Sequence, residues 1–500
     1  LGLAGAGLGA AAAAAPVFHD LDELISAGDI KSNPMANFKR PWWVTEREFK
    51  NLTTEVDWSL FKAWDYNDEA SGTASWHPGH AQYIPELCSD TVLRQRVEQM
   101  LALQADRSPK LASLAEDQLK AGTLGYALRD VALKNGARYL IFGFGLESIA
   151  LAGPQPGVGN PFTAISTPES LGVPKWTGTP EEATNMLRAA AHLYGTPTIG
   201  VVEHDADTKK IFYPSRVRFN DVDEPYTEVE DLKYPYRNVF GMMVTTQEVT
   251  YISNKCRYSV YFPARDIDEY IKRDHSSQSG ISRYTNGPII LNRVQRFIIS
   301  LGYQMPSVSA GMNVPMGILS GLGELGRANQ QITPEWGTFA GYVPGRATDL
   351  PLAPTKPIDA GIFKFCETCK LCADICQEAT GSSPISFEEP TYEIDGPWNR
   401  VGVKKYHHTW PSCGSCGVSN CVKVCPFNTH GHGFASAHGV IKATIATTPI
   451  FNGFFHSMQS AFYKMPPRDE KDFADWWDRD LNAWPYDTIL GAGSGPNGGR

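Results

Sequence analysis

The stretch Cys366-Glu-Thr-Cys369-Lys-Leu-Cys372-Ala-Asp-Ile-Cys376 places four cysteines in the spacing C-x2-C-x2-C-x3-C. Three thiolates on so tight a loop can cap three irons of one cubane, while the fourth points from the next helical turn toward a different cluster. A second run, from Cys413 through Cys416 and Cys421 to Cys425-Pro426, keeps the final x3-Cys-Pro and widens the middle gap to four residues. The spacing therefore predicts two [4Fe-4S] clusters with crossed ligation.

The predicted ligand sets divide the eight cysteines equally. The first cluster takes Cys366, Cys369, Cys372 and Cys425, and the second takes Cys376, Cys413, Cys416 and Cys421. Structural zinc is the alternative, since it also accepts four thiolates, but two interleaved runs ending in Cys-Pro favour iron–sulfur. A disulfide framework is disfavoured because such frameworks are typical of small secreted domains that lack a sufficient core.

Composition describes a globular chain with room for two or three domains. The chain has 500 residues, of which 42% are hydrophobic and 20% charged, and its net charge is −9. These values exclude disorder and argue against a nucleic-acid surface, which needs a clustered basic field. Of the ten cysteines, only Cys88 and Cys256 lie outside the two runs, and we expect them to be small buried apolar residues.

Hydrophobic periodicity and β-branched content predict an α+β (α/β-like) chain. The predicted helices are Val92–Leu103, Ala183–Tyr194 and Ile289–Leu301, and the predicted strands are Arg138–Phe142, Thr198–Val202, Lys210–Tyr213, Val239–Thr245 and Tyr258–Phe262. Tyr284 is expected just before the third helix. The proline-rich stretch 350–357 is predicted to be an extended connection into the cysteine-rich region.

The predicted organisation has five parts. They are an export-signal remnant (1–20), an N-terminal region (21–130), a catalytic core (131–350), a two-cluster domain (351–440) and a C-terminal extension with a flexible tail (441–500). The first part begins at Leu1 with a Gly- and Ala-rich run that is similar to the apolar and cleavage regions of an export signal without its charged head.

Gly321-Leu-Gly323-Glu-Leu-Gly326 matches the G-x-G-x-x-G dinucleotide fingerprint. That fingerprint should follow a strand, whereas the preceding Val314–Ser320 contains Pro315 and Gly317. A close-packed turn is therefore the better interpretation than NAD or FAD binding.

The continuation of this run, through Arg327 to Glu335-Trp-Gly337, resembles a segment of corrinoid-dependent reductases. Four further runs resemble respiratory reductive dehalogenases in particular: Pro174–Glu182, Leu350–Gly361, Phe365–Cys369 and Pro449–Phe455. The resemblance implies a corrinoid held base-off in a nitroreductase-like core, with a bacterial ferredoxin-type domain whose two [4Fe-4S] clusters feed electrons to cobalt.

The resemblance also implies site residues. Tyr284 lies 19 residues before the Tyr of Gly302-Tyr303, where the family has its proton donor. The family's cation for the tyrosinate would fall at Gly341, so Arg346 or Arg327 is expected to serve instead. The implied corrinoid contacts are Ser309, Gly311, Gly321, Gly323, Arg327 and Thr333.

The implied reaction replaces a carbon–chlorine bond of a small organohalide with carbon–hydrogen in anaerobic organohalide respiration. The implied location follows twin-arginine export and is peripheral, at the outer face of the cytoplasmic membrane. The expected partners are a small membrane-anchor subunit and membrane electron carriers, with self-association left open and no nucleic acid. The alternatives are an epoxyqueuosine reductase-like enzyme and a non-catalytic ferredoxin-type electron carrier.

Overall fold

The computed structural model describes the greater part of the chain in separate ranges. These are residues 40–63, 95, 102, 105–106, 109–110, 113–129, 165–196, 198–237, 243–266, 281–307, 313–340, 344–380, 383–393, 399–409, 413, 420–428, 439–462 and 470–478. The described residues combine helices and strands, which agrees with the predicted α+β class.

The strands are β1 (Thr45–Glu46), β2 (Gly200–Glu203), β3 (Val217–Asn220), β4 (Tyr226–Arg237), β5 (Met243–Ser253), β6 (Tyr258–Tyr261), β7 (Glu324–Leu325), β8 (Gln331–Ile332), β9 (Gly345–Thr348) and β10 (Ile358–Asp359). The α-helices are α1 (Pro168–Leu171), α2 (Pro180–Tyr194), α3 (Ile281–Ser300), α4 (Asn313–Leu319), α5 (Ile362–Thr368), α6 (Leu371–Thr380), α7 (Asn420–Lys423), α8 (Gly439–Thr447), α9 (Asn452–Phe462) and α10 (Glu470–Trp477). Residues 113–120 are also helical.

A three-stranded antiparallel sheet of order β2-β6-β9 lies against helices α2 and α3. Helix α2 begins at a capping box, in which the Thr179 side chain accepts from the N–H of Glu182 and the Glu182 carboxylate accepts from that of Thr179. It ends at Gly195, whose φ of 113° closes the helix. The apolar side of α2, with Leu187 and Ala191, is therefore held in a defined direction against the sheet.

A second three-stranded sheet has the order β3-β5-β4. Strands β4 and β5 form a long antiparallel hairpin with a register shift between Asp231 and Tyr236, while β3 runs parallel to β5. Two shorter pairings, β1 with β10 and β7 with β8, lie next to the cysteine-bearing helices in sequence or in space.

One hydrophobic cluster joins the cysteine helices to the rest of the molecule. It contains Ile318 from α4, Leu325 and Ile332 from the β7–β8 hairpin, Phe365 and Cys366 from α5, and side chains of α8 and α9. The chain on both sides of residues 350 and 440, where domain boundaries are predicted, contributes to this single cluster. The division into domains itself stays a prediction.

Several predicted elements agree with the structure and others do not. Helix α2 is confirmed but begins three residues earlier than predicted, strand β6 is confirmed and ends one residue earlier, and β2 begins two residues later than predicted. The predicted strand Lys210–Tyr213 is wrong: a 3-10 turn occupies Thr208–Ile211, because the Asp205 carboxylate accepts the N–H groups of Asp207 and Thr208.

The helix predicted to begin at Ile289 begins at Ile281, so the prediction that Tyr284 precedes it is wrong. Pro288 lies inside the helix rather than at its start. The predicted strand Arg138–Phe142 lies outside the described residues, as does most of the predicted helix Val92–Leu103. Among the described helices, none combines the length and the apolar character that crossing a membrane requires.

Candidate functional site

The first cysteine run lies on two helices and the turn between them. Helix α5 carries Cys366, helix α6 carries Cys372 and Cys376, and Cys369 is in the connecting turn. None of the described cysteines in the two runs is in a disulfide. Cys416 lies outside the described residues.

The cysteines predicted for the first cluster influence each other electrostatically. Burial, followed by neighbouring charges, raises the pKa of the Cys366 thiol to about 11 and that of Cys369 to about 12. Burial also raises the pKa of Cys372 and Cys425 well above the usual range, and for both thiols Cys366 and Cys369 contribute to the shift. Cys421, predicted for the second cluster, also contributes to the shift at Cys372, so the division into two ligand sets stays a prediction.

Two cysteines predicted for the second cluster lie in a separate small apolar cluster. Cys376 is buried there with Ala373 and Ile385, and the partly exposed Cys421 packs against them. Cys372, which is predicted for the first iron–sulfur cluster, packs against this same apolar cluster and so lies between the two predicted ligand sets. Among the described residues, no three His, Cys, Asp or Glu side chains converge closely enough to hold a single ion. A [4Fe-4S] cluster does not need the thiolates to converge on one ion, because each thiolate binds a different iron of the cluster.

Glu324 holds the N-terminus of the helix that carries Cys366. The carboxylate is fully buried and accepts the N–H of Ala360 at 2.7 Å, of Ile362 at 3.0 Å and of Phe363 at 3.2 Å. The N–H groups of Ile362 and Phe363 are in the first turn of α5 and have no acceptor within the helix. Burial, assisted by the charge of Asp359, raises the pKa of Glu324 to about 7.

Arg327 holds the other end of the same helix. Its Nε and Nη2 donate to the Cys366 carbonyl at 3.1 and 2.7 Å, and Nε also lies 3.3 Å from the Cys369 carbonyl. Nη1 donates to the carbonyls of Ser386 at 2.7 Å and Glu388 at 3.0 Å, and the guanidinium lies 4.1 Å from the centre of the Tyr406 ring. All five N–H donors are directed at backbone around the first cysteine run.

The glycines of the G-x-G-x-x-G run are required by packing. A Cβ on Gly321 would lie 1.9 Å from the Lys356 carbonyl oxygen, and one on Gly323 would lie 2.5 Å from that of Ile332. The φ of 73° at Gly321 also favours glycine. The run is thus a close-packed turn, as predicted from the sequence. It positions Glu324 and Arg327 at the two ends of helix α5.

The predicted corrinoid contacts lie in different places. Thr333 is buried, and its hydroxyl accepts the N–H of Trp336 at 2.9 Å within the turn after β8. Ser309 and Gly311 are outside the described residues, as is Gly341. The contacts of Gly321, Gly323, Arg327 and Thr333 that the structure shows are with the protein itself.

A polar chain connects the start of α3, which includes position 284, to the second cysteine run. Asp266 accepts the N–H of Arg283 at 3.1 Å and pairs with its guanidinium at 3.3 Å. Arg283 Nη1 is 3.5 Å from the Thr338 carbonyl, and the Thr338 N–H donates to Asn428 Oδ1 at 2.9 Å. The Asn428 amide in turn donates to the Val422 carbonyl at 2.6 Å, beside Cys421.

Arg346 is buried on β9, and its Nη1 donates to Gln295 Oε1 at 3.0 Å. Gln295 and Tyr284 are both on α3 and are separated by 11 residues, or about 16 Å along the helix axis. These contacts do not test whether Arg346 or Arg327 pairs with Tyr284. That part of the predicted site stays untested.

A cleft of about 460 Å³ lies beside the second cysteine run. Its walls come from the N-terminal segment (Leu52, Trp58 and Phe61), from α4 and the β7–β8 hairpin (Val314, Ile318, Leu319, Leu325 and Ala328), and from the cysteine-rich region (Ile385, Val403, Cys413 and Cys421). A mostly apolar concave site of this size is typical of small-molecule and cofactor binding.

Sequence reasoning missed Glu324, Asn428 and the cleft. Glu324 stands inside the quoted glycine run, and an acidic residue between glycines was the available signal. The sequence contains no signal for Asn428 or for the cleft, because the residues that contact Asn428 and those that line the cleft are distant in sequence.

Comparison with known proteins gives a consistent result. A family model described as reductive dehalogenase subunit matches residues 92–352. The chloroethene reductive dehalogenase of Dehalococcoides mccartyi strain VS is 31% identical over 523 residues, which cover 97% of this chain and 96% of the relative. The trichloroethene reductive dehalogenase of Dehalococcoides mccartyi strain 195 is 30% identical, over 95% of this chain and 94% of the relative.

Among solved structures, a catabolic reductive dehalogenase in complex with 3-bromo-4-hydroxybenzoic acid aligns with a TM-score of 0.47 and 15% identity. The alignment covers 86% of this chain and 50% of that one. The chain thus spans about half the length of this solved structure.

Proposed function

Because the chain belongs to the reductive dehalogenase family, a family of oxidoreductases, we propose that it replaces the halogen of a small organohalide with hydrogen. The overall reaction consumes two electrons and one proton and releases halide. The observation that supports this is an apolar cleft lined by Cys413 and Cys421 of the second cysteine run, of which Cys421 packs in one small cluster with Cys372 and Cys376 of the first run. This arrangement fits electron delivery to an enclosed site.

Two [4Fe-4S] clusters are the proposed electron carriers, held in a ferredoxin-type domain. Cysteines that form no disulfide and lie, buried or partly buried, in two adjacent groups are the donor set that such clusters require. In this proposal Glu324 and Arg327 fix helix α5 and its turn, so that Cys366 and Cys369 keep the spacing of cluster ligands.

A corrinoid, held base-off in a nitroreductase-like core, is the proposed site of halide removal. The cleft supplies an apolar wall from α4 and the β7–β8 hairpin on one side and the second cysteine run on the other. Bound there, the cofactor would supply a strongly reducing cobalt centre. The apolar walls would exclude water, which protects a reduced centre and a carbanion-like product from side reactions.

Tyr284 is the proposed proton donor. A phenol with an ordinary pKa near 10 keeps its proton at neutral pH and gives it to a strong base. Asp266 and Arg283 anchor the helical turn that carries it, and the chain through Thr338 and Asn428 ties that turn to the second cysteine run.

The substrate is proposed from the names of the relatives. Since two relatives with high coverage act on trichloroethene and chloroethene, chlorinated ethenes are the first compounds to test. We further propose export by a twin-arginine-type route and a peripheral position at the outer face of the cytoplasmic membrane. There, a small anchor subunit would give access to membrane electron carriers.

The test is anaerobic turnover with reduced viologen and chlorinated ethenes, measured as chloride release. We expect Tyr284→Phe to lower kcat by about 10²- to 10⁴-fold, the usual contribution of a general acid. Tyr392→Phe is a matched control, because its hydroxyl meets Glu55 on an exposed surface. Protein that retains corrinoid and iron but releases no halide from chlorinated ethenes, alkanes or arenes contradicts the proposal.

A further inference from the structure

Lys442 is a partly buried lysine on helix α8, and its ammonium is bonded to the turn that follows β8. Nζ donates to the Pro334 carbonyl in that turn at 2.7 Å. The residues before and after it on the helix, Ile441 and Ile445, belong to the hydrophobic cluster that contains three cysteines of the first predicted ligand set: Cys366, Cys369 and Cys425. The cysteines of the second set do not belong to this hydrophobic cluster as the described residues form it.

Two close backbone contacts hold α8 and the turn after β8 beside the first ligand set. A Cβ on Gly361, at the start of α5, would lie 2.6 Å from the Ile445 carbonyl oxygen, so α8 packs directly on the helix that carries the first cysteine. A Cβ on Gly337 would lie 2.5 Å from the Asn428 nitrogen, whose N–H donates to the Cys425 carbonyl at 3.1 Å. The turn that binds the ammonium therefore packs against the segment that carries Cys425.

The charges around Lys442 are of both signs. Burial lowers the pKa of Lys442 to about 8, while the Glu335 carboxylate and the Cys425 thiol act in the opposite direction, so the side chain stays a cation at neutral pH. Lys442 in turn acts against the burial that raises the pKa of Cys425. Glu335 also pairs with Arg40 at 3.9 Å, and Arg40 has Glu46 as a further neighbouring carboxylate.

We propose that the ammonium of Lys442 raises the reduction potential of the first [4Fe-4S] cluster. The inference rests on the proposed function, because it requires that cluster. Reduction adds one electron, and thus one negative charge, to a cluster that four thiolates already make anionic, while the proton of the ammonium stays in place. A fixed cation near a buried thiolate stabilises this more negative form, since net charge and solvent exposure set the potential of such clusters. Lys442 acts through Cys425 and is a positioning residue, not a ligand.

The test is an anaerobic redox titration of the purified holoprotein, followed by the EPR signals of the reduced clusters, with dithionite as the electron source. Lys442→Gln removes the charge but keeps N–H donors for the Pro334 carbonyl. We expect one of the two clusters to become about tenfold harder to reduce at a given potential, which is ~59 mV for a one-electron couple. The other cluster should keep its wild-type potential, and Lys442→Arg, which keeps the charge, should leave both unchanged.

Two further variants separate the effect of charge from that of structure. Glu335→Gln removes a carboxylate that acts on Lys442, so it should make the same cluster easier to reduce. Lys364→Gln is the matched control on α5, because the side chain of Lys364 is 61% exposed and pairs with Glu367 at 3.8 Å. Water screens a charge in that position, so the shift should be much smaller than in Lys442→Gln.

Unchanged potentials in Lys442→Gln would overturn the inference. Shifts in the same direction for Lys442→Gln and Glu335→Gln would also overturn it, as would an equally large shift in Lys364→Gln. If Lys442→Gln lost its iron, Glu335→Gln would decide, and an unchanged or lower potential there would refute the role of charge. Wild-type protein that contains zinc in place of iron–sulfur clusters would instead contradict the proposed function, so the two failures are distinguishable.

Discussion

Buried arginines in this structure differ in how fully their nitrogens are hydrogen-bonded. Arg327 is 1% exposed and donates to the carbonyls around Cys366, while Arg188 is 8% exposed and its Nε and Nη1 have no hydrogen-bond partner among the described residues. Because a guanidinium cannot lose its proton at neutral pH, burial must be compensated by acceptors or by an anion. The backbone carbonyls that accept hydrogen bonds from Arg327 make it a positioning residue for the first cysteine run.

Replacing Arg327 with Lys is expected to lower the iron content of the purified protein. Lysine keeps the charge but offers three donors from one point instead of a five-donor fork, so several buried carbonyls lose their partner, at about 1–3 kcal/mol each. Iron analysis and the cluster absorbance measure the loss.

The control is Arg218→Lys, which breaks a two-point contact with Glu230 at 2.6 and 2.8 Å in the sheet of β3, β5 and β4. That variant should keep its iron. Equal iron in the Arg327 variant and wild type would refute the positioning role.

The raised pKa of Glu324 should make the free energy of unfolding depend on pH. Its pKa is raised to about 7 in the folded protein, from an ordinary 4.5. A raised carboxyl pKa gives a stabilising contribution that is complete below the unfolded value and is lost as the pH rises through the folded value. The unfolding free energy of wild type should therefore fall by about 3 kcal/mol more than that of Glu324→Gln between about pH 4.5 and above pH 7.

Urea unfolding of both proteins across this pH range measures the difference. Asp359→Asn removes a charge that contributes to the shift, so it should move the window toward lower pH. Parallel curves for wild type and Glu324→Gln would show that Glu324 does not titrate in this range.

At the scale of elements, replacing the glycines of the turn between α4 and β7 with alanine should destabilise the fold to different degrees. A Cβ on Gly321 would lie 1.9 Å from a backbone oxygen, and one on Gly323 would lie 2.5 Å from another. One on Gly326 would meet the flexible end of the Ile332 side chain at 2.3 Å, which can move.

Alanine at Gly321 should thus destabilise most, at Gly323 by about 1–3 kcal/mol, and at Gly326 least. Thermal unfolding measures this order, and a reversed order would contradict the assigned packing.

The sequence predicted elements well where local chemistry determines them. Thr179 and Glu182 cap α2, and its apolar spacing matches the observed buried side. The prediction was wrong at the start of α3 (Ile281–Ser300), because the apolar spacing begins only at Ile289 while the helix also includes Pro288 and the residues before it. Of the long β4–β5 hairpin, only the start of β5 overlaps a predicted strand, Val239–Thr245, whose first four residues lie outside the described chain. The rest was not predicted, because several of its side chains are exposed and give little hydrophobic alternation.

The same limit applies to the site. Cysteine spacing predicts ligands because the spacing itself encodes loop geometry. The partners of Arg327 lie 39 to 61 residues away in sequence, and those of Asn428 include Thr338 at a separation of 90. Contacts of this kind arise only when the chain is folded, so no local pattern could reveal them.

At the scale of the whole molecule, the cysteine-rich region shares its core with its surroundings. Phe365 and Cys366 pack in one hydrophobic cluster with Ile332 before them and Ile445 and Phe455 after them. Glu324 and Arg327, which hold both ends of α5, also lie outside residues 351–440. Cluster binding should therefore depend on chain beyond the cysteine runs themselves.

A fragment of residues 351–440 is accordingly expected to lose its clusters quickly, although it contains every predicted ligand. The full chain should hold about eight iron atoms, and a longer fragment, 313–462, should retain more of them than 351–440 because it restores α4, the β7–β8 hairpin and helices α8 and α9. Iron analysis after anaerobic gel filtration measures the three proteins side by side. If the short fragment kept its iron as stably as the full chain, the shared core would not be what stabilises the clusters, and the region would be an independent electron-carrier module.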